Sequence, residues 1–292
     1  MRISSPVRSI ILSAALALGS ALPSYGISII WNYDYDTSEF FTEERRLVLA
    51  KAAERFNHVS IASPDLPHPT EEGDYWNWEI VDPVTGDPID SIPGNLQAGT
   101  LTIYVGAANL GGTVLGRGGP LGSDAYATDE WIDVLESLST PEVFKPYAGI
   151  LSITNSSAYT WYSGLSDAIP NGEVDLYSVV LHELGHIFGI GTSQAWYADI
   201  SGGYFVGEHV TALVGEGLQV SLDGAHFENG VWNGVPLLMN SGIVSGQRYD
   251  WSALEDAVLM DLGYVVIPEP GTIGFAVAGF GVLWLSRRRL RA

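Results

Sequence analysis

His182, Glu183 and His186 lie in the stretch Asp175 to Thr192, which reads DLYSVVLHELGHIFGIGT. The pattern is H-E-x-x-H. On a helix, residues four apart share a face one turn from each other. Two imidazoles so placed can bind one tetrahedral metal ion, usually zinc. Glu183 follows the first histidine directly and can take a proton from water activated at that metal.

The flanking residues must supply the helix. Asp175 can cap its start, because a carboxylate accepts from the exposed amides of a first turn. Leu176, Val179, Val180, Ile187 and Phe188 give it an apolar surface to bury. Gly189 and Gly191 then end it, as glycine does just past helix ends.

Composition narrows the class. The hydrophobic share of 46% supports a sizeable core, and the formal net charge of −21 makes nucleic acid an unsuitable partner. There is no cysteine, so a metal here must use histidine and carboxylate ligands, and no disulfide framework exists.

Both ends read as processing signals. Residues 1–26 have Arg2 and Arg8, an apolar centre from Ile10 to Leu18, and a small-x-small exit at Ser24-Tyr25-Gly26. That is a signal peptide, with cleavage expected after Gly26 or after Ala21. Near the other end come Pro268-Glu269-Pro270, an apolar run from Gly271 to Leu285, and Arg287, Arg288, Arg289 and Arg291. The run is somewhat short of the roughly 20 residues of a full span, and its basic cluster would stay cytoplasmic. Residues 268–292 resemble a PEP-CTERM sorting signal. The resemblance implies an exported protein of a Gram-negative bacterium, inserted transiently in the membrane. An exosortase would then hand it to the envelope surface or extracellular matrix. A plain C-terminal membrane anchor is the alternative.

One domain, 27–267, remains between the signals. A strand is expected over Ile27 to Asn32. A helix follows from a Thr42 cap to about Asn57, with Val48, Ala52 and Phe56 on one face. Ser63 to Pro69 reads as a loop. Strands are expected over Tyr75 to Val81, Thr100 to Val105 and Ile150 to Thr154, and a short helix over Asp129 to Leu138. Trp76 and Trp78 suit core packing, with a sugar-stacking platform as the minor reading. The glycine-rich Gly111 to Gly122 is no phosphate loop, lacking a Lys-Ser/Thr end, and reads as a loop or edge strand. The fold class is α+β: a twisted mixed sheet backing two long helices.

A catalytic zinc usually has three protein ligands and an open position. His182, Glu183, His186 and Gly189 resemble the metzincin metalloproteases, whose pattern H-E-x-x-H-x-x-G-x-x-H ends on a third histidine. Thr192 stands there instead. In leishmanolysin-like peptidases an insertion follows the glycine and the third histidine comes later. Gly224-Ala225-His226-Phe227, Leu237-Leu238-Met239-Asn240 and Asp261-Leu262-Gly263-Tyr264 resemble that family's downstream segments, with Phe227 replacing Trp and Asn240 replacing Thr. The resemblance spans Asp175 to Tyr264. It implies that His226 is the third ligand, that Met239 forms an apolar floor under the site, and that Zn²⁺ is the cofactor. It also implies an N-terminal subdomain, 27–190, and a mostly irregular C-terminal subdomain, 191–267, below the zinc.

Glu208 and His209 are the competing third ligands, Glu208 having a spacing near that of gluzincins. His58 and His68 read as surface residues. Tyr249 is either an oxyanion donor or structural. The function expected is zinc endopeptidase action on a protein or peptide, with Glu183 as general base. The alternatives are a non-catalytic surface or matrix protein retaining the metal scaffold, and, more weakly, a carbohydrate-binding module.

Overall fold

The computed structural model describes residues 26–60, 69, 71–89, 92–228 and 230–267. Both processing signals, apart from Gly26, lie outside the described residues, as do His68 and most of the Ser63 to Pro69 loop. Strands β1 (Ser28–Asn32), β2 (Thr100–Ala108), β3 (Gly116–Pro120) and β4 (Ala148–Thr154) form a sheet in the order β1-β2-β4-β3. The first three in that order run parallel, and β3 lies antiparallel along the edge. Six α-helices occur among the described residues: α1 (Glu43–Ala53), α2 (Asp129–Glu136), α3 (Leu176–Ile187), α4 (Gln194–Ala198), α5 (Glu208–Val214) and α6 (Ala253–Asp261). The class is α+β with several small sheets besides the central one.

The strand pleat explains the layers. Along β2, Leu101, Ile103, Val105 and Ala107 join the buried cluster that contains the helices. Tyr104 points the other way and meets Trp78 edge-on. That second face is covered by a sheet of Ile92–Pro93, Tyr75–Glu79 and Gly122–Tyr126. Burial on both faces is why β2 reads as a nearly continuous apolar run. Trp76 is fully buried and Trp78 is 6% exposed, so they are core and offer no sugar platform.

Thr42 caps α1, accepting from the Arg45 amide, and Val48, Leu49 and Ala52 are buried beneath it. A 3₁₀ turn, Glu54–Phe56, continues it and stacks Phe56 on Phe188, with centroids 4.3 Å apart. His58, expected as an ordinary surface residue, is half-buried and 3.0 Å from the Asp256 carboxylate.

Every residue of α3 is buried. Its cap, Asp175, accepts from the Ser178 amide at 3.2 Å and hydroxyl at 2.5 Å. A fully buried carboxylate needs a countercharge. Arg248 supplies it through two bonds, 3.0 and 2.8 Å, and also donates to the carbonyls of Gly164 and Leu165. At the far end the Thr192 hydroxyl donates to the His186 carbonyl at 2.6 Å, and the Tyr264 hydroxyl to the Phe188 carbonyl at 3.0 Å. Carbonyls that a helix end leaves unpaired are thereby satisfied.

Beyond α3 the strands have only two residues each and three short helices occur among the described residues, with turns and irregular chain making up most of the rest of this part, as expected. Its longest helix, α6, starts with a capping box in which the Ser252 amide and hydroxyl both donate to Glu255. One buried cluster runs through both halves, from Leu49 to Phe188, Phe227, Met239 and Leu254. No helix among the described residues is long and apolar enough to cross a membrane.

Removing one partner of a buried ion pair typically costs about 3–5 kcal/mol, because the other charge is left uncompensated. Arg248→Met is expected to lower the unfolding free energy by about that amount in urea denaturation. An unchanged midpoint would show that Asp175 is satisfied without it.

Candidate metal centre

Helix α3 places His182 and His186 one turn apart, and both face a cleft of about 680 Å³. The Nε2 atoms of these two residues are 3.2 Å apart. His226 completes the group, with its Nε2 3.1 Å from that of His186. Among the described residues these three form the one group of three or more His, Cys, Asp or Glu side chains close enough to share a metal ion.

Each ring has an oxygen on its outer nitrogen. His182 Nδ1 is 2.8 Å from the Leu238 carbonyl, His186 Nδ1 2.8 Å from the Ile190 carbonyl, and His226 Nδ1 2.8 Å from the Asp223 carboxylate. An oxygen there accepts, so each Nδ1 carries the ring proton. All three Nε2 atoms then present lone pairs to one point. Unprotonated nitrogens at this separation repel unless a cation lies between them, so the donor set fits a metal. Burial also lowers the pKa of His182 to about 3 and of His186 to about 4. Both are neutral near pH 7, as a ligand must be.

The loop with His226 is held at several points. Its neighbour Phe227 is fully buried against Trp196, and the Phe227 amide donates to the Met239 carbonyl at 2.8 Å. Leu238, one residue before, accepts from His182, so a single segment ties two of the histidines together. Gly191 lies at φ +75°, and a Cβ there would stand 2.1 Å from the Ala225 carbonyl. The end of α3 and the His226 loop touch through backbone, which no side chain would permit.

Met239 is fully buried beneath α3. A Cβ at Gly185, between the two helix histidines, would meet its sulfur at 2.4 Å. The competing ligands stand elsewhere. Glu208 is exposed at the start of α5, and His209 pairs with Asp261 at 2.8 Å. Tyr249 is buried, its hydroxyl accepts from the Val244 amide, and it does not line the cleft.

Glu183 is 5% exposed and lines the same cleft. Burial pushes its pKa up to about 8, while a hydrogen bond from the Gly118 amide works in the opposite direction. Within the glycine-rich segment, which the sequence allows as a loop or edge strand, Gly116–Pro120 form the edge strand β3, pressed onto this carboxylate. A Cβ at Gly116 would lie 2.6 Å from Glu183 Oε1, and one at Gly118 2.4 Å from the Glu183 carbonyl. Sequence reasoning missed this role. The alternation Gly116-Arg117-Gly118 was the available signal, since glycine in a strand often marks close backbone approach.

Asp223 was also missed. It accepts from the Ser221 hydroxyl at 2.5 Å and the Ala225 amide at 2.9 Å, besides His226. Partial burial opposes its charge, but these hydrogen bonds hold it well below the usual carboxylate range.

The chain matches no protein-family model and no curated protein. The chemistry of the centre is therefore carried by its own residues.

Two opposite pH dependences follow for the metal-free protein. The histidines have folded pKa values below their ordinary 6.5, so the unfolded chain binds more protons there. Their stability contribution is full above pH 6.5 and falls as pH drops towards 4 and 3. Glu183 has a folded pKa raised from 4.5 to about 8, so its contribution is full below 4.5 and is lost as pH rises towards 8. Between about pH 6.5 and 8 the metal-free wild type should lose thermal stability, and Glu183→Gln should lose less. Equal losses in the two would overturn this assignment.

Proposed function

We propose that the chain is an exported zinc-dependent endopeptidase of the metzincin type, with its third histidine supplied late, as in leishmanolysin-like peptidases. The observation that carries the reading is the pairing of three inward-facing Nε2 atoms with a buried carboxylate in one cleft. Nitrogens around a tetrahedral zinc, at bond lengths of about 2.0–2.1 Å, stand about 3.3 Å apart. The nearer separations here, 3.1 and 3.2 Å, fit that spacing. Structural zinc sites are normally closed by four protein ligands, whereas catalytic ones keep three and an open position. Three protein donors opening on a cleft suit the second kind.

His182, His186 and His226 would hold the zinc through Nε2. When bound, zinc polarises the scissile carbonyl and lowers the pKa of water at the site to about 7. The raised pKa of Glu183 belongs to the metal-free protein. A cation bound beside it would favour the ionised carboxylate, which would then take a proton from the attacking water and return it to the departing amine. Gly118 orients that carboxylate through its amide. Met239 supports the helix between its two ligands from below.

The wall of the cleft supports a peptide substrate. Among the described residues strand β3 pairs only with β4, and the cleft is lined along Thr113 to Gly118 on its other side. The Thr154 amide donates to the Leu115 carbonyl, and the Leu121 amide to that of Ala148. Alternation along an antiparallel ladder then turns the backbone groups of Gly116 and the carbonyl of Gly118 outward, the Gly118 amide being engaged by Glu183. An extended peptide can add to such an edge as a further strand.

The retained-scaffold alternative is disfavoured by Glu183. Metal binding alone does not need it, and burying a carboxylate is costly. The terminal sequences support export through a signal peptide. They also support sorting by an exosortase, with transient membrane insertion, to the envelope surface or extracellular matrix.

Glu183→Gln should keep zinc at wild-type stoichiometry while hydrolysis of casein or a peptide library falls about 100- to 10,000-fold. Full activity in that variant would sink the mechanism. Metal analysis should show zinc lost in His226→Ala and kept in Glu208→Ala; the reverse would move the third ligand.

A further inference from the structure

The three histidines are oriented by unlike partners. For His182 and His186 the acceptors are main-chain carbonyls, fixed by the fold. For His226 the acceptor is a side chain in its own loop, Asp223. We propose that Asp223 is a positioning residue: it pins the proton of His226 on Nδ1, so that Nε2 faces the other two histidines as an acceptor. This rests on the metal-centre reading above, but its first observable does not require metal.

The loop geometry shows why the carboxylate matters. One oxygen, Oδ1, takes the Ser221 hydroxyl and the Ala225 amide. The other, Oδ2, takes His226 Nδ1. The loop is also closed by backbone bonds, from the Ser221 amide to the His226 carbonyl and from the Gly224 amide to the Ser221 carbonyl. The Trp196 indole donates to the Gly224 carbonyl at 2.9 Å, fastening the loop to α4. These fastenings do not use the Asp223 oxygen that meets His226. The path of the loop and the protonation site of the ring are therefore controlled separately.

Asp223→Asn separates them in practice. The Ala225 amide can only donate, so it holds the oxygen of an asparagine on its own side. The amide NH₂ then faces His226 Nδ1, which must become the acceptor. Its proton moves to Nε2, the atom that would bind metal. A carbonyl partner such as that of Leu238 or Ile190 could not be altered this way by substitution. Outer partners of ligating histidines typically change metal affinity by about 10- to 100-fold when mutated.

The experiment has two readouts on the full protein. In metal-free wild type, ¹⁵N imidazole shifts should show His226 as the Nδ1–H form; in Asp223→Asn they should show Nε2–H. Zinc titration should give an affinity about 10- to 100-fold weaker for Asp223→Asn. Ser221→Ala removes a loop bond without touching the ring proton, and it should bind zinc within a few-fold of wild type. If Ser221→Ala and Asp223→Asn weaken binding equally, or if the tautomer does not change, Asp223 is only a loop fastener and the proposal fails. If Asp223→Asn does not fold, Asp223→Glu decides: zinc affinity nearer to wild type than that of Asp223→Ala supports the proposal, and equal loss overturns it. Should wild type bind no zinc, the metal reading fails while the tautomer result still judges Asp223.

Discussion

Three imidazole nitrogens are brought together, those of His182 and His226 at 3.2 and 3.1 Å from that of His186, with no proton left to share. Much of the surrounding structure follows from that requirement. Each ring must be turned by an acceptor behind it, and each acceptor must be fixed. Two of them are main-chain carbonyls: Ile190 just past the end of α3 and Leu238 beside Met239. The segment with Leu238 also anchors Phe227, so the positions of His182 and His226 are coupled through a few residues of backbone.

Holding these groups inside the protein constrains the helix that carries them. An entirely buried helix cannot rely on water for its unpaired ends. Asp175 and Arg248 close one end, and Thr192, Ser193 and Tyr264 close the other. The neighbours approach so closely that three glycines, Gly116, Gly118 and Gly185, stand where a side chain would collide with Glu183 or Met239. The polar centre and the tight packing around it are thus one arrangement.

Local signals in the sequence were informative where the chemistry is local. The spacing of His182 and His186, the Asp175 cap and the glycines after the helix all describe one continuous segment, and the structure contains them as read. The faces of α1 and of the Trp76 strand followed from periodicity in the same way. His226 could be reached only through a resemblance, because its approach depends on a chain path that no period encodes. Arg248 and Asp223 were not found: an arginine 73 residues from its partner, or an aspartate in a polar turn, looks like any solvated charge until the fold is built. The helix α6 was missed despite a readable signal, since Ser252 and Glu255 already spelled a capping box.

The open edge of β3 has a consequence for how copies of this protein meet one another. An unpaired strand edge invites a neighbouring chain to add to it, which is a route to aggregation. This edge must stay accessible if it is to receive a peptide, so it cannot be covered permanently. Its sequence, Gly-Arg-Gly-Gly-Pro, limits the hazard in another way. Glycine has poor strand propensity, Pro120 has no amide to donate, and Arg117 is an exposed charge. With a formal net charge of −21, copies also repel at long range. Protection against self-association is therefore shared between the five residues of this edge and the net charge of the whole chain.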